Sequence, residues 1–240
     1  MVLVAHGSRD PRAAAATEAL ARAVRLAHPE WLTYAAYLDH AGPRPLDVLA
    51  SVPSRRAVLV PLLLTEAYHG RVDLPAVLEA AAGLPVKVTL AGVLGPRPEA
   101  AGRDVSPLLI DALIRRLPAA GLDGVVLAAA GTRDPDARKT VDAVAAALSE
   151  RLSLPCAVAY ASAALPTAGD AVDLLRTSGA RRVGVSAYFL APGFLYDLAV
   201  RSAREAGART VAEPLGAAPE LVRLIAARVG PGARPRTAAA

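Results

Sequence analysis

Four side chains in the first half of the chain have the chemistry to hold a metal ion or move a proton: His6, His69, Asp39 and Glu66. His6 stands in Val4-Ala-His-Gly-Ser-Arg-Asp-Pro11, and His69 closes Val60-Pro-Leu-Leu-Leu-Thr-Glu-Ala-Tyr-His69. Two neutral imidazoles leave a coordination shell open, which suits a divalent first-row ion that must be captured and then released. The same rings accept protons near neutrality, since an unperturbed imidazole has a pKa of about 6.5. Asp39 and Glu66 are the carboxylates expected nearby, each as third ligand, proton acceptor or partner that fixes a histidine tautomer. His40 is an alternative to Asp39, and His28 reads as a cation at a helix end. Arg9 and Arg71 flank the two histidines, and guanidinium forks suit carboxylates. Arg9 is equally readable as a residue that pairs with a neighbouring helix.

What singles out the two histidines is that the chain repeats itself and the repeat lacks them. Val2-Leu-Val-Ala-His-Gly-Ser-Arg-Asp-Pro11 is echoed by Val126-Leu-Ala-Ala-Ala-Gly-Thr-Arg-Asp-Pro135. Pro61–His69 is echoed by Ala187–Leu195 at a nearly constant offset, the mark of a duplicated domain. His6 then falls opposite Ala130, His69 opposite Leu195, Glu66 opposite Pro192, and Asp39 roughly opposite Ser162. A scaffold that dispenses with imidazole in one copy does not need it for folding in the other. The first copy is therefore expected to carry an asymmetric chemical site.

The elements that must position these groups follow from alternation. Short β-like runs alternate with longer helical patterns, which predicts an α/β fold of two Rossmann-like domains, each a parallel sheet flanked by helices. Strands are expected at Val2–Ala5, Thr33–Leu38, Ala57–Leu64 and Val86–Ala91, then near Gly124–Ala129, Ala157–Ala161, Arg182–Phe189 and Arg209–Ala212. Asp10-Pro11 and Asp134-Pro135 each read as a helix start, a capping carboxylate followed by proline in the first turn. The repeat implies domains at 1–120 and 121–230, divided where Pro118 and Gly121 interrupt the pattern, with 231–240 an unstructured tail. Ligands of open parallel sheets bind beyond the carboxyl ends of the strands. His6 follows strand 1, Asp39 follows strand 2 and His69 lies in the loop after strand 3, so all three are expected on one edge.

Composition excludes several classes. No run approaches the roughly 18 apolar residues of a membrane span, and the start does not read as a signal peptide, so a cytoplasmic, membrane-free protein is expected. The net charge is +5, almost all of it arginine, with Lys87 and Lys139 the only lysines. Aromatic residues make up 4% and do not interleave a basic stripe, which argues against nucleic acid. A modest positive surplus does suit a polyanionic small molecule. The single cysteine, Cys156, rules out an internal disulfide and a Cys cluster, and its strand-like setting points to a buried thiol. Gly184-Val-Ser-Ala-Tyr188 lacks the last glycine of a nucleophile elbow, and Ser8 beside His6 does not form a triad.

At these residues the sequence resembles the sirohydrochlorin chelatases, in the long, duplicated bacterial form of CbiX type. The resemblance rests on the two histidine motifs, on Leu94-Gly-Pro with its echo Leu215-Gly, and on the duplication, and it covers all but the tail. It implies a class II chelatase architecture of two pseudo-symmetric α/β domains with a cleft. It also implies a lyase that inserts Fe²⁺ or Co²⁺ into sirohydrochlorin, for sirohaem or cobalamin, with the ion as substrate and no permanently bound cofactor. By motif, His6 and His69 become the metal-binding and proton-handling pair, joined in the metal set by Asp39 and Glu66. Sirohydrochlorin carries many carboxylates, so Arg71, Arg44, Arg97 and Ser8 are expected to contact it. A non-catalytic carrier of the metal or the tetrapyrrole would use the same residue types and is the alternative. A monomer or homodimer is expected, because duplication can make one chain equivalent to a dimer of single-domain relatives.

Overall fold

The computed structural model describes residues 1–65, 73–98, 104–118 and 121–230. The first half runs β1 (Val2–Ala5), α1 (Pro11–Ala27), β2 (Tyr34–Tyr37), α2 (Pro45–Ser51), β3 (Arg56–Pro61), α3 (Leu74–Ala81), β4 (Lys87–Leu90) and α4 (Pro107–Arg116). The second half repeats the order with β5 (Gly124–Ala129), α5 (Pro135–Leu152), β6 (Cys156–Tyr160), α6 (Ala168–Thr177), β7 (Val183–Tyr188), α7 (Phe194–Glu205), β8 (Thr210–Val211) and α8 (Pro219–Val229).

Local chemistry explains these elements. β1, β5 and β7 are apolar runs buried along almost their whole length, as a parallel strand covered on both faces requires. The helices instead bury one stripe: Thr17, Leu20, Ala21 and Val24 in α1 recur at helical spacing. Asp10 caps α1 by accepting from the Arg12 backbone N–H at 2.9 Å, and Asp134 caps α5 by accepting from Asp136 at 2.9 Å. Proline occupies the first turn of both helices, where its missing N–H is no loss.

Both sheets are wholly parallel, in the orders β2-β1-β3-β4 and β6-β5-β7-β8. Val2 pairs with Tyr34 on one side and Leu59 on the other, and Gly124 pairs with Val183. The chain leaves β1 toward β2 and then returns to the far side of β1 for β3. The order therefore reverses between β1 and β3, and again between β5 and β7, which creates the switch-point crevice where such sheets take their ligands.

The compact units do not divide where the repeat does. One unit comprises Met1–Leu94 together with the chain from Gly216 onward, and the other comprises Gly95–Leu215. The boundary expected near residue 120 follows the sequence repeat; in the compact units each half gives its last helix to the other half's unit. α4 packs on α5 and β7, while α8 packs on α1 and β3. Arg116, at the end of α4, donates to the Leu215 carbonyl at 3.0 Å, and Asp111 pairs with Arg151 at 2.9 Å. In the same way Arg228, near the end of α8, donates to the Leu94 carbonyl at 3.4 Å. Pattern and propensity place a helix in sequence, but the sheet that receives its apolar stripe is a tertiary choice. Residues 231–240, expected to lack structure, lie outside the described residues.

Candidate metal-handling edge of the first sheet

His6 is the first residue past β1, half-buried at the reversal between β1 and β3. Its carbonyl accepts from the Asp39 backbone N–H at 2.7 Å, and the Ala5 carbonyl accepts from Leu38 at 3.0 Å. These two bonds extend the β1–β2 ladder into the loops and bring His6 and Asp39 together. Gly7 makes the approach possible: its φ is +96°, and a Cβ there would stand 1.8 Å from the Asp39 carbonyl oxygen. No other residue type fits that conformation and that distance together.

Asp39 is exposed and sits among His40 and Arg44. It accepts from the His40 backbone N–H at 2.8 Å, lies 3.5 Å from the His40 imidazole, and lies 3.7 Å from the Arg44 guanidinium. The His40 N–H, followed by the charges of His40, Arg44 and His6, holds its carboxyl below the usual carboxylate range. Arg44 is fixed in turn by a bond from its guanidinium to the Leu38 carbonyl. His40 takes a positive φ of 59° and meets the His6 ring edge-on, with ring centres 6.0 Å apart. His40 is thus nearer the centre of this cluster than its sequence position alone indicates. The signal for it was the Asp-His pair directly after a strand, where a tight turn presents both side chains.

Ser8 has a local task, its hydroxyl accepting from the Asp10 N–H at 3.0 Å ahead of α1. Arg97 belongs to the other compact unit and holds Asp104, with its side chain 3.2 Å away. His69, Glu66 and Arg71 lie outside the described residues. The described chain beside them is set by the sheet: Leu62 donates to the Val4 carbonyl at 2.8 Å, and Leu63 accepts from Leu94 at 3.0 Å. The described residues after β3, 62–65, thus leave the sheet at the same carboxyl edge as His6. Among the described residues no group of three His, Cys, Asp or Glu side chains is placed to hold a metal. His28 caps the end of α1, stacks on Trp31 at 4.1 Å and pairs with Glu30 at 3.2 Å, away from this edge. Cys156 lies in β6, and burial pushes its thiol up to about 12, so it is no nucleophile at neutral pH.

The arrangement has a near copy without the chemistry. Ala130 accepts from the Ser162 N–H at 3.0 Å, as His6 does from Asp39. Gly131 has φ +97°, and its Cβ would stand 1.8 Å from the Ser162 carbonyl oxygen. Ala163 holds φ +60° where His40 holds 59°, and Thr132 accepts from Asp134 at 3.1 Å where Ser8 accepts from Asp10. The backbone cradle is the same on both sheets, and only the first carries imidazole and carboxylate.

Comparison with known proteins agrees with the fold. The family model CbiX matches residues 1–102 and 124–231. Among curated proteins none matches significantly. SirB from Bacillus subtilis, solved with Fe³⁺, is similar at a TM-score of 0.75 and 20% identity, over 95% of this chain and 92% of that one. The sirohydrochlorin chelatase SirB from Bacillus subtilis subspecies spizizenii, in complex with cobalt, matches at 0.75 and 19% over the same shares, 95% and 92%. A CbiX described as the terminal enzyme of siroheme biosynthesis in denitrifying bacteria matches at 0.63 and 23%, over 95% of this chain and 96% of that one. The α/β fold of two parallel sheets is thus a shared architecture.

Proposed function

The chain belongs to the CbiX family, and on that premise we propose that it is a sirohydrochlorin chelatase, a lyase that inserts Fe²⁺ or Co²⁺ into sirohydrochlorin. One observation carries the reading: a half-buried imidazole, His6, stands at the switch point of the first sheet, while its equivalent in an otherwise matching cradle is Ala130. The SirB structures with Fe³⁺ and with cobalt support a metal ion as the species handled at such a fold.

Insertion exchanges two pyrrole N–H protons for one divalent ion, so two protons must leave as the metal–nitrogen bonds form. His6 and His69 would hold the ion with few enough ligands that it can be passed on, and one of them would accept a pyrrole proton. Asp39 or Glu66 would complete the shell or receive a proton. Asp39 is suited to the charged role, since its partners favour the carboxylate. Arg44, already anchored to Leu38, and Arg71 would meet carboxylates on the tetrapyrrole rim. Imidazole with carboxylate accepts several first-row ions, so the choice of Fe²⁺ or Co²⁺ would rest on supply as much as on the site. No described helix is long and apolar enough to cross a membrane.

Turnover separates this reading from a carrier that delivers the ion or shelters the product. With enzyme far below substrate, anaerobic mixtures of sirohydrochlorin with Co²⁺ or Fe²⁺ are expected to show many equivalents of metallated product by absorbance. Product limited to one equivalent per chain would leave a carrier, and rates equal to the protein-free control would reject the chelatase.

A further inference from the structure

Two arginines stand in equivalent places at the ends of the exchanged helices, and only one of them has a carboxylate. α4 and α8 align with Pro107 opposite Pro219 and Arg116 opposite Arg228. The segments that the arginines clasp align as well: Ala91, Gly92 and Leu94 fall opposite Ala212, Glu213 and Leu215. The backbone repeats the match. Ala91 donates to the Leu59 carbonyl and Ala212 to that of Val185, both at 2.8 Å. Leu94 donates to Leu63 at 3.0 Å, as Leu215 does to Phe189 at 2.8 Å.

Arg116 is fully engaged within its unit. Its Nε and Nη2 donate to the Leu215 carbonyl at 3.2 and 3.0 Å, and its Nη1 lies 3.5 Å from the Glu213 carboxylate. Arg228, half-buried, makes a single bond of 3.4 Å from Nη2 to the Leu94 carbonyl. Its Nε is buried without a hydrogen-bond partner, and its guanidinium forms no ion pair among the described residues. One position accounts for the difference, since Gly92 stands where the other repeat has Glu213. Gly92 is exposed, and a Cβ there would meet the Arg228 Cδ at 3.7 Å, an ordinary contact. Leaving donors of a charged fork without an acceptor is costly, and the acceptor that the fork matches is a carboxylate. Leu63 and Leu94 lie just past β3 and β4, so Arg228 stands at the carboxyl edge of the first sheet, where such sheets take ligands.

We infer that Arg228 binds the carboxylate of a ligand, in the place that Glu213 fills at Arg116. The chain thus supplies the acid in one repeat and receives it from outside in the other. Two sources have this chemistry, a small free carboxylate and a carboxylate carried by the molecule on which the protein acts. The site itself stands on Arg228, Gly92 and Leu94 and is independent of the chelatase reading.

The test follows the arginine Nε–H groups of the full chain by NMR while acetate replaces chloride at constant ionic strength, so that screening stays equal. The Arg228 signal is expected to move saturably with millimolar acetate, and the Arg116 signal to stay. Gly92→Glu supplies the acid from the chain at high effective concentration and is expected to weaken the acetate response at least about tenfold. Glu213→Gly is expected to give Arg116 the response that it lacks. Both variants keep the arginines and their carbonyl acceptors. A wild-type Arg228 signal that ignores acetate overturns the inference, as does a wild-type response in Gly92→Glu or a silent Arg116 in Glu213→Gly. Steady-state insertion of Co²⁺ then identifies the source. A several-fold rise in KM for sirohydrochlorin in Gly92→Glu, with kcat held, assigns the site to a carboxylate of the substrate. An unchanged KM beside a positive acetate titration assigns it to a free carboxylate. A chain that binds acetate at Arg228 and metallates nothing leaves this inference standing and sinks the chelatase reading alone.

Discussion

The carboxyl edges of the two sheets differ in their side chains and hardly at all in their backbone. Gly7 and Gly131 share a left-handed φ of +96° and +97°, His40 and Ala163 share 59° and 60°, and the loop hydrogen bonds correspond one to one. Such matching loops show that the chemistry of the first edge is not a by-product of its shape. A cradle that folds around Ala130 and Ser162 has no structural need for His6 and Asp39. The difference therefore lies in the side chains and not in the scaffold, and each copy serves as the other's control.

The largest effect that sharpens this contrast is expected at His6. His6→Ala should lower the rate of metal insertion by at least about a hundredfold while thermal unfolding stays near that of the wild type. Ala130→His in that variant should not rescue it. A His6→Ala protein with wild-type turnover would break the contrast at its root.

The two glycines should behave alike, because they serve the cradle. Gly7→Ala and Gly131→Ala each force a Cβ to 1.8 Å from a carbonyl oxygen at a positive φ. Each is expected to cost about 2–4 kcal/mol in denaturant unfolding. A large cost at Gly7 alone would mean that the second loop relaxes and that the cradles are less alike than their geometry indicates.

Ser8 and Thr132 offer a finer comparison. Each hydroxyl accepts from the backbone of the helix-capping aspartate, at 3.0 and 3.1 Å. Ser8→Ala and Thr132→Ala should each lose about 0.5–1 kcal/mol of stability, with turnover unaffected. A fall in turnover confined to Ser8→Ala would add substrate contact to its structural task.

The smallest expected effect concerns Asp39. Its carboxyl is held below the usual range, first by the His40 N–H. A depressed folded-state pKa contributes stability above the unfolded value of about 3.9 and loses it as pH falls through the folded one. Carboxyl NMR should therefore show Asp39 titrating on the acid side of an ordinary aspartate. The β2–α2 turn should loosen there while the Ser162 turn does not.

Much of this was readable before any coordinates. Short β-like runs alternating with helical patterns located the eight strands of the described residues, and the Asp-Pro pairs marked the starts of α1 and α5. The repeat placed His6 and Asp39 on one edge, because successive parallel strands present their carboxyl ends together, and the structure bonds the two residues directly at 2.7 Å. Arg97 was expected as a contact of the tetrapyrrole, and its place in the second compact unit was not legible: a residue after β4 looks local to the first sheet, yet the chain has already crossed into the other unit at Gly95. The exchange of α4 and α8 was invisible for a related reason. Amphipathic spacing states that a helix has an apolar stripe and leaves open which sheet will cover it. The closeness of His40 to His6 depended on a backbone turn with positive φ at a non-glycine residue, which composition does not announce.

The exchange of terminal helices also sets the order in which the molecule is finished during synthesis. The first sheet is complete once Leu90 has left the ribosome, but α8, which rests on α1 and β3, begins only at Pro219. The contiguous unit from Gly95 to Leu215 is made in full while the first unit still waits for its cover. At ordinary elongation rates that wait lasts on the order of ten seconds. The sheet that carries His6 is thus translated before the second sheet and receives its last helix after it.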